Sequence, residues 1–179
     1  MTKYFAFLRA INVGGRTVRM EVLRRAFEKM GFAAVQTFIA SGNVIFDAEV
    51  EDEAKLERDV EAGLERALGY EVATFARSAQ ALEGIAARQP FAAEDDATRI
   101  YVAFLRERPR AAVRRDIEAL SGDLDELKVG EREIYWLSRS SLSDSNISGA
   151  RLEKASNGPV TVRNFNTVNR LLAKYVRSR

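Results

Sequence analysis

An α+β fold built twice over is predicted by this chain, and three observations carry the prediction. A hexapeptide recurs, as Tyr4-Phe5-Ala6-Phe7-Leu8-Arg9 near the start and Tyr101-Val102-Ala103-Phe104-Leu105-Arg106 past the middle. Self-similarity on that scale argues for a duplicated unit. The first copy alternates strand-like and helix-like segments in the order βαββαβ, the split plait called ferredoxin-like. Gly31 to Asp47 aligns without a gap beside Ser121 to Leu137, setting Trp136 opposite Phe46. The expected architecture is two ferredoxin-like subdomains from an internal duplication, plus a C-terminal helix. Its expected boundaries are 1–77 for the first subdomain, 78–98 for a connecting helix and junction, and 99–179 for a second, diverged copy.

Each element has its own signal. Lys3 to Leu8 is apolar on both alternations and runs into Asn12-Val13-Gly14-Gly15, which reads as a buried strand entering a loop. Leu23, Ala26, Phe27 and Met30 fall at helical spacing, with Gly31 as the stop. Ala34 to Ala40 alternates, Ser41-Gly42-Asn43 turns the chain, and Val44-Ile45-Phe46 continues it, predicting a hairpin. Asp52 and Glu53 suit the positive start of a second helix striped by Leu56, Val60, Leu64 and Leu68. Gly69 ends that helix and Tyr70 to Phe75 reads as the fourth strand. Ser78 to Arg88 is expected as the connecting helix, closed by Pro90, with Ala92 to Ala97 as a polar junction.

In the second copy Ile100 to Leu105 is the strand, Ala111 to Leu120 the helix, and Leu124 to Val129 with Glu133 to Leu137 the hairpin. A serine-rich stretch from Ser138 to Ser148 then leads to a short helical segment near Leu152. Pro159 to Val162 and a final helix from about Asn164 to Val176 complete the chain. Both alternations of the opening strand are apolar, so something should cover its second face, the other repeat being the economical choice.

Composition narrows the chemistry. Cysteine and histidine are both absent, which removes thiolate nucleophiles, disulfides, imidazole bases and the usual zinc, haem or iron–sulfur ligands from this chain. Carboxylate, hydroxyl, amide, lysine and arginine remain. Lysine and arginine number 28 against 26 acids, an excess too small for a general polyanion binder. With no leader before Tyr4 and no apolar run long enough for a bilayer, the expectation is a cytoplasmic protein without a membrane partner.

Three polar segments are candidates for chemistry. The loop from Arg9 through Asn12, Gly14, Gly15 and Arg16 leaves a buried strand for a helix start; paired glycines can turn N–H groups toward an anion, and Arg16 or Arg19 could clamp it. Ser41, Gly42 and Asn43 also supply the geometry of an ordinary hairpin turn. Arg163, Asn164, Asn166 and Thr167 precede the last helix, where Asn164 alone accounts for a cap. Arg163, Arg170, Lys174 and Arg177 are expected to share one stripe of that helix, a solvated face or a phosphate contact. The acids at Glu49 to Glu53 and Glu94 to Asp96 read as solubilising charge.

Phe7 to Gly15, Thr37 to Phe46 and Thr161 to Val168, three separated motifs in order, resemble the bacterial domain-of-unknown-function family numbered sixteen ninety-seven. The resemblance runs along the chain and implies paired plait-like subdomains but no reaction. Ala10 stands where that family usually has glycine, and Phe165 where tryptophan is common. The leading expectation is a pocket for an anionic small molecule or nucleotide, assembled from Asn12–Arg16 and Arg163–Thr167. A nucleic-acid platform using Phe5 and Phe7, or a non-catalytic interaction protein, are the alternatives. Hydrolysis enters only by analogy of fold with acylphosphatases. Neither the cofactor nor the oligomeric state is legible.

Overall fold

The computed structural model describes every residue except Val13, Ala93, Ala97 and Arg179. Val13 in the predicted loop, and Ala93 and Ala97 in the predicted junction, therefore lie outside the described residues. The chain divides into two units, Met1–Glu83 and Gly84–Arg179.

The first unit runs β1 (Thr2–Leu8), α1 (Met20–Lys29), β2 (Ala33–Thr37), β3 (Asn43–Ala48), α2 (Glu53–Leu68) and β4 (Thr74–Ser78), and then enters α3 (Ala79–Ala87). Its antiparallel sheet has the order β2-β3-β1-β4, the arrangement of a ferredoxin-like plait. One alternation of β1, Tyr4, Ala6 and Leu8, packs with Val44 and Phe46 of β3 beneath Leu23 and Phe27 of α1 and Leu56, Val60 and Leu64 of α2. Phe5 and Phe7 on the other alternation are buried as well. Asp52 caps α2 by accepting from the Ala54 and Lys55 amides, and Gly69 ends it with a φ of 80°.

The fourth strand is shorter and later than Tyr70 to Phe75, because the chain first crosses from the end of α2 to the sheet edge. It pairs with β1 only from Thr74, opposite Leu8.

The second unit continues through β5 (Arg99–Phe104), α4 (Ala111–Glu118), β6 (Asp125–Val129), β7 (Glu133–Ser138), α5 (Gly149–Ser156), β8 (Thr161–Asn164) and α6 (Phe165–Leu172), which passes into a π-helical turn over Ala173–Arg177. The sheet order β6-β7-β5-β8 repeats the first one strand for strand. Tyr4 pairs with Phe46 and Tyr101 with Trp136, so the repeated hexapeptide occupies the same register twice. The second copy is thus a complete plait: the segment near Leu152 is its second helix, and 161–164 its fourth strand. Arg163 accordingly sits in a strand, off the stripe expected to run along the final helix.

Candidate functional site

At the end of β1 the Leu8 amide donates to Gly42 O at 2.8 Å and the Arg9 amide to Ala73 O at 2.9 Å. The β1–α1 connection therefore emerges between the β2–β3 turn and the α2–β4 link. Its backbone is left-handed at Ala10 (φ 57°), Asn12 (59°), Gly14 (63°) and Gly15 (81°). Asn12 fixes this path: its Oδ1 accepts from the Val18 amide at 2.6 Å and its Nδ2 donates to Ala40 O at 3.0 Å. The first two sequence motifs are thereby brought together.

Gly42 is required at the junction. A Cβ there would stand 3.1 Å from both Ile11 Cβ and Leu8 Cβ, and its φ is 77°. Asn43 is buried and staples the turn, its Nδ2 donating to Phe38 O at 3.0 Å and Ser41 Oγ at 2.8 Å. Asn12, Ser41 and Asn43 thus hold the corner together, while Arg9, Gly14, Gly15 and Arg16 lie exposed on it.

Beside this corner a groove of about 340 Å³ runs between the residues entering α1 and the end of α2, lined by Arg16, Thr17, Arg19 and Tyr70 among others. The Arg16 guanidinium lies 4.5 Å from the centre of the Tyr70 ring. Arg19 occupies the cap position of α1 without a side-chain cap bond. Among the described residues neither arginine forms an ion pair, and the Tyr70 hydroxyl is buried with no hydrogen-bond partner.

The third motif belongs to the second unit. Arg163 is buried, its Nη1 donating to Thr161 Oγ1 at 2.7 Å and Val162 O at 3.0 Å, and burial pushes the guanidinium pKa down to about 10. Asn164 caps α6 by accepting from the Asn166 amide at 2.9 Å. Asn166 is exposed and Thr167 half-buried in the first turn of that helix.

Two features escape a reading of the sequence. Arg77 is as buried as Arg163 and holds the same place in its sheet, opposite Phe5 where Arg163 lies opposite Val102. Only the strand register makes that pairing visible. Tyr70 reads as a strand residue, yet it forms the floor beneath Arg16; the glycine before it was the available sign that a loop, not a strand, starts there. Among the described residues no cluster of acids is placed to hold a metal ion, and no helix is long and apolar enough to cross a membrane.

The family described as "Protein of unknown function (DUF1697)" matches residues 1–135. The chain belongs to that family. Its third polar motif, 161–168, lies beyond the matched residues. A solved structure, that of conserved bacterial protein SP0830 from Streptococcus pneumoniae, shares 26% sequence identity with this DUF1697 chain, covers 97% of it and 99% of its own length, and superposes with a TM-score of 0.74. The paired-plait architecture is therefore common to both proteins over nearly their whole lengths. No curated protein matches the sequence. Within this DUF1697 member, residue 10 has the left-handed backbone that glycine adopts without strain, a physical reason for the glycine that the resemblance leads one to expect there.

Proposed function

We propose that this protein binds an anionic small molecule or nucleotide at the corner where β1 passes into α1. The observation that carries the reading is the groove lined by Arg16, Arg19 and Tyr70, in which neither arginine has a carboxylate partner among the described residues and the Arg16 guanidinium lies over the Tyr70 ring. Guanidinium groups recognise phosphate and carboxylate through paired N–H donors, and a concave surface strengthens the attraction. The left-handed run through Gly14 and Gly15 leaves backbone exposed beside the groove, where amides can add to the contact. Asn12 and Asn43 support the site indirectly, by holding the loop and the turn that shape it. The buried rings of Phe5 and Phe7 favour this reading over base stacking on the sheet.

Thermal melting with phosphate, nucleotides and acyl phosphates tests the proposal. A ligand at a hundred times its dissociation constant stabilises by about 2.7 kcal/mol, and that shift should shrink in Arg16→Ala/Arg19→Ala. A shift of equal size in the double variant, or none with any anion in the parent protein, rejects it.

A further inference from the structure

We propose that the second repeat carries a site of its own for a small organic phosphate, in the cavity between the β5–α4 and α5–β8 connections. This cavity is the larger of the two repeat corners, about 470 Å³, and Arg106, Arg108 and Arg110 all line it. Its volume falls within the roughly 300–1,000 Å³ of small-molecule sites. It occupies the same corner of the second plait as the Arg16 groove does of the first, yet shares no residue with it and stands or falls independently of that reading.

Charge is the first argument. Three arginines line one concave surface, a concentration of positive charge that focuses potential on an incoming anion. Arg108 and Arg110 are exposed and their side chains make no hydrogen bond or ion pair among the described residues, and Glu107, the one acid of the lining, bonds to neither.

Rigidity is the second. The Leu105 amide donates to Arg132 O at 2.9 Å and Arg132 Nε to Arg106 O at 2.8 Å, which pins the start of the basic loop. Arg114 ties the following helix to the sheet through Val129 O at 2.6 Å and Gly130 O at 2.9 Å. Across the cavity, Asn157 turns the chain with a φ of 56°, and the Gly158 amide donates to Glu153 O at 3.2 Å. Pro109 and Pro159 stiffen the two walls. A cation cluster on fixed walls loses little entropy when an anion arrives.

The lining also selects among anions. Arginine forks match a phosphate's oxygens in pairs, while Leu105, Val113 and the two prolines offer an apolar wall for an attached organic group.

Calorimetric titration of the full chain at low salt with inorganic phosphate, pyrophosphate and ADP decides the matter. One ADP site should bind more tightly than inorganic phosphate, weaken as salt rises, lose at least about tenfold in affinity in Arg108→Ala/Arg110→Ala, and persist in Arg16→Ala/Arg19→Ala even where that variant loses binding at the first repeat. Because both substituted side chains are exposed, the variant's ligand-free melting temperature should equal the parent's. Absence of ADP binding, or equal affinity in Arg108→Ala/Arg110→Ala, overturns the inference. Inorganic phosphate binding as tightly as ADP overturns the assignment to an organic phosphate. Loss confined to Arg16→Ala/Arg19→Ala overturns it too, while leaving the first-repeat site standing.

Discussion

The two plaits protect opposite edges of their sheets. In the first, α2 presents Glu53, Glu57 and Glu61 one turn apart, and their carboxylates accept from the Ser78, Ala76 and Thr74 amides of β4, each at 2.8 Å. Those amides belong to an edge strand and would otherwise invite another strand to pair. In the second, α5 is half as long, and Glu153 reaches the Val160 amide, just ahead of β8, at 3.4 Å. There the protection moves across the sheet. Glu118 accepts from the Val129 amide of β6 at 3.1 Å, and Ser121 from Leu127 at 2.9 Å. Continuing the gapless alignment sets Arg24 and Glu28 of α1 beside Arg114 and Glu118 of α4, yet Arg24 pairs with Glu21 and Glu28 on its own helix instead of with the sheet. The edge strand β2 does not ask for them: its register shifts between Ala33 and Gln36, with Ala34 at a φ of 50°, and an irregular edge is a poor template for pairing. Protection is thus a demand of the sheet edge, met by whichever helix lies against a regular strand.

The largest effect should come from Glu57. Its carboxylate accepts from the Ala76 amide and lies 3.4 Å from the Arg77 guanidinium, both side chains being nearly inaccessible. Glu57→Ala leaves a buried charge without its counterion and should cost about 3–5 kcal/mol. Urea unfolding measures this, and Glu57→Gln, which keeps an acceptor, should lose less. Glu153→Ala at the second edge removes a longer bond, to an edge amide ahead of β8, and should cost less, about 1 kcal/mol. Equal losses at the two positions would break the comparison.

Gly42 sharpens it next. Gly42 and Arg132 hold one place in the two repeats, since their carbonyls accept from the equivalent Leu8 and Leu105 amides at 2.8 and 2.9 Å. Only the first repeat has the long connection that folds Ile11 against this position. Gly42→Ala should therefore cost about 2–4 kcal/mol, from left-handed strain and from overpacking together. Differential scanning calorimetry checks it; a loss below about 1 kcal/mol would mean that the connection yields.

Much of the fold is legible because local signals and the duplication agree. The hexapeptide, the gapless alignment and the stops at Gly31 and Gly69 all reappear in the coordinates. What escaped is non-local. The Glu53, Glu57 and Glu61 row looks like solvated helix charge until β4 is seen beneath it, and Tyr70 looks like a strand residue until the chain is seen crossing to the edge. At the corner, residue types mark two loops that the structure brings together, but not the division of labour within them. Asn12 and Asn43 carry hydrogen bonds to backbone that hold the loops in place, and spacing along the chain contains no trace of those partners. The basic loop Arg106 to Arg110 follows the second hexapeptide directly, but without the glycines that mark the first loop.

Smaller effects belong to the helices that face the two edges differently. Arg114 donates to two backbone carbonyls at the end of β6, so Arg114→Ala should cost about 1.5–3 kcal/mol, the range for hydrogen bonds to a charged group. Arg24→Ala, at the equivalent place on α1, removes only exposed ion pairs and should leave the urea midpoint unchanged. A midpoint shift for Arg24→Ala as large as that for Arg114→Ala would show that the surface network on α1 has a sheet-facing role.

The smallest effect is a dependence on acid that α1 should show and α4 should not. Hydrogen bonds from Arg24, then Arg25, lower the Glu21 pKa from 4.5 to about 2. A carboxylate held below its unfolded value stabilises the folded state fully above about pH 4.5, and loses that contribution as pH falls toward 2. The first turn of α4 carries no acid, so that helix has no counterpart to lose. Glu21 is exposed and its partners are solvated, so the change should be slight and should vanish in high salt. Titration of the Glu21 carboxyl carbon by NMR reads the group directly. A midpoint near 2 that climbs in Arg24→Ala fits the pairing on α1, whereas a midpoint near 4.5 in the parent protein would mean that α1's charges are as loosely held in solution as their exposure allows.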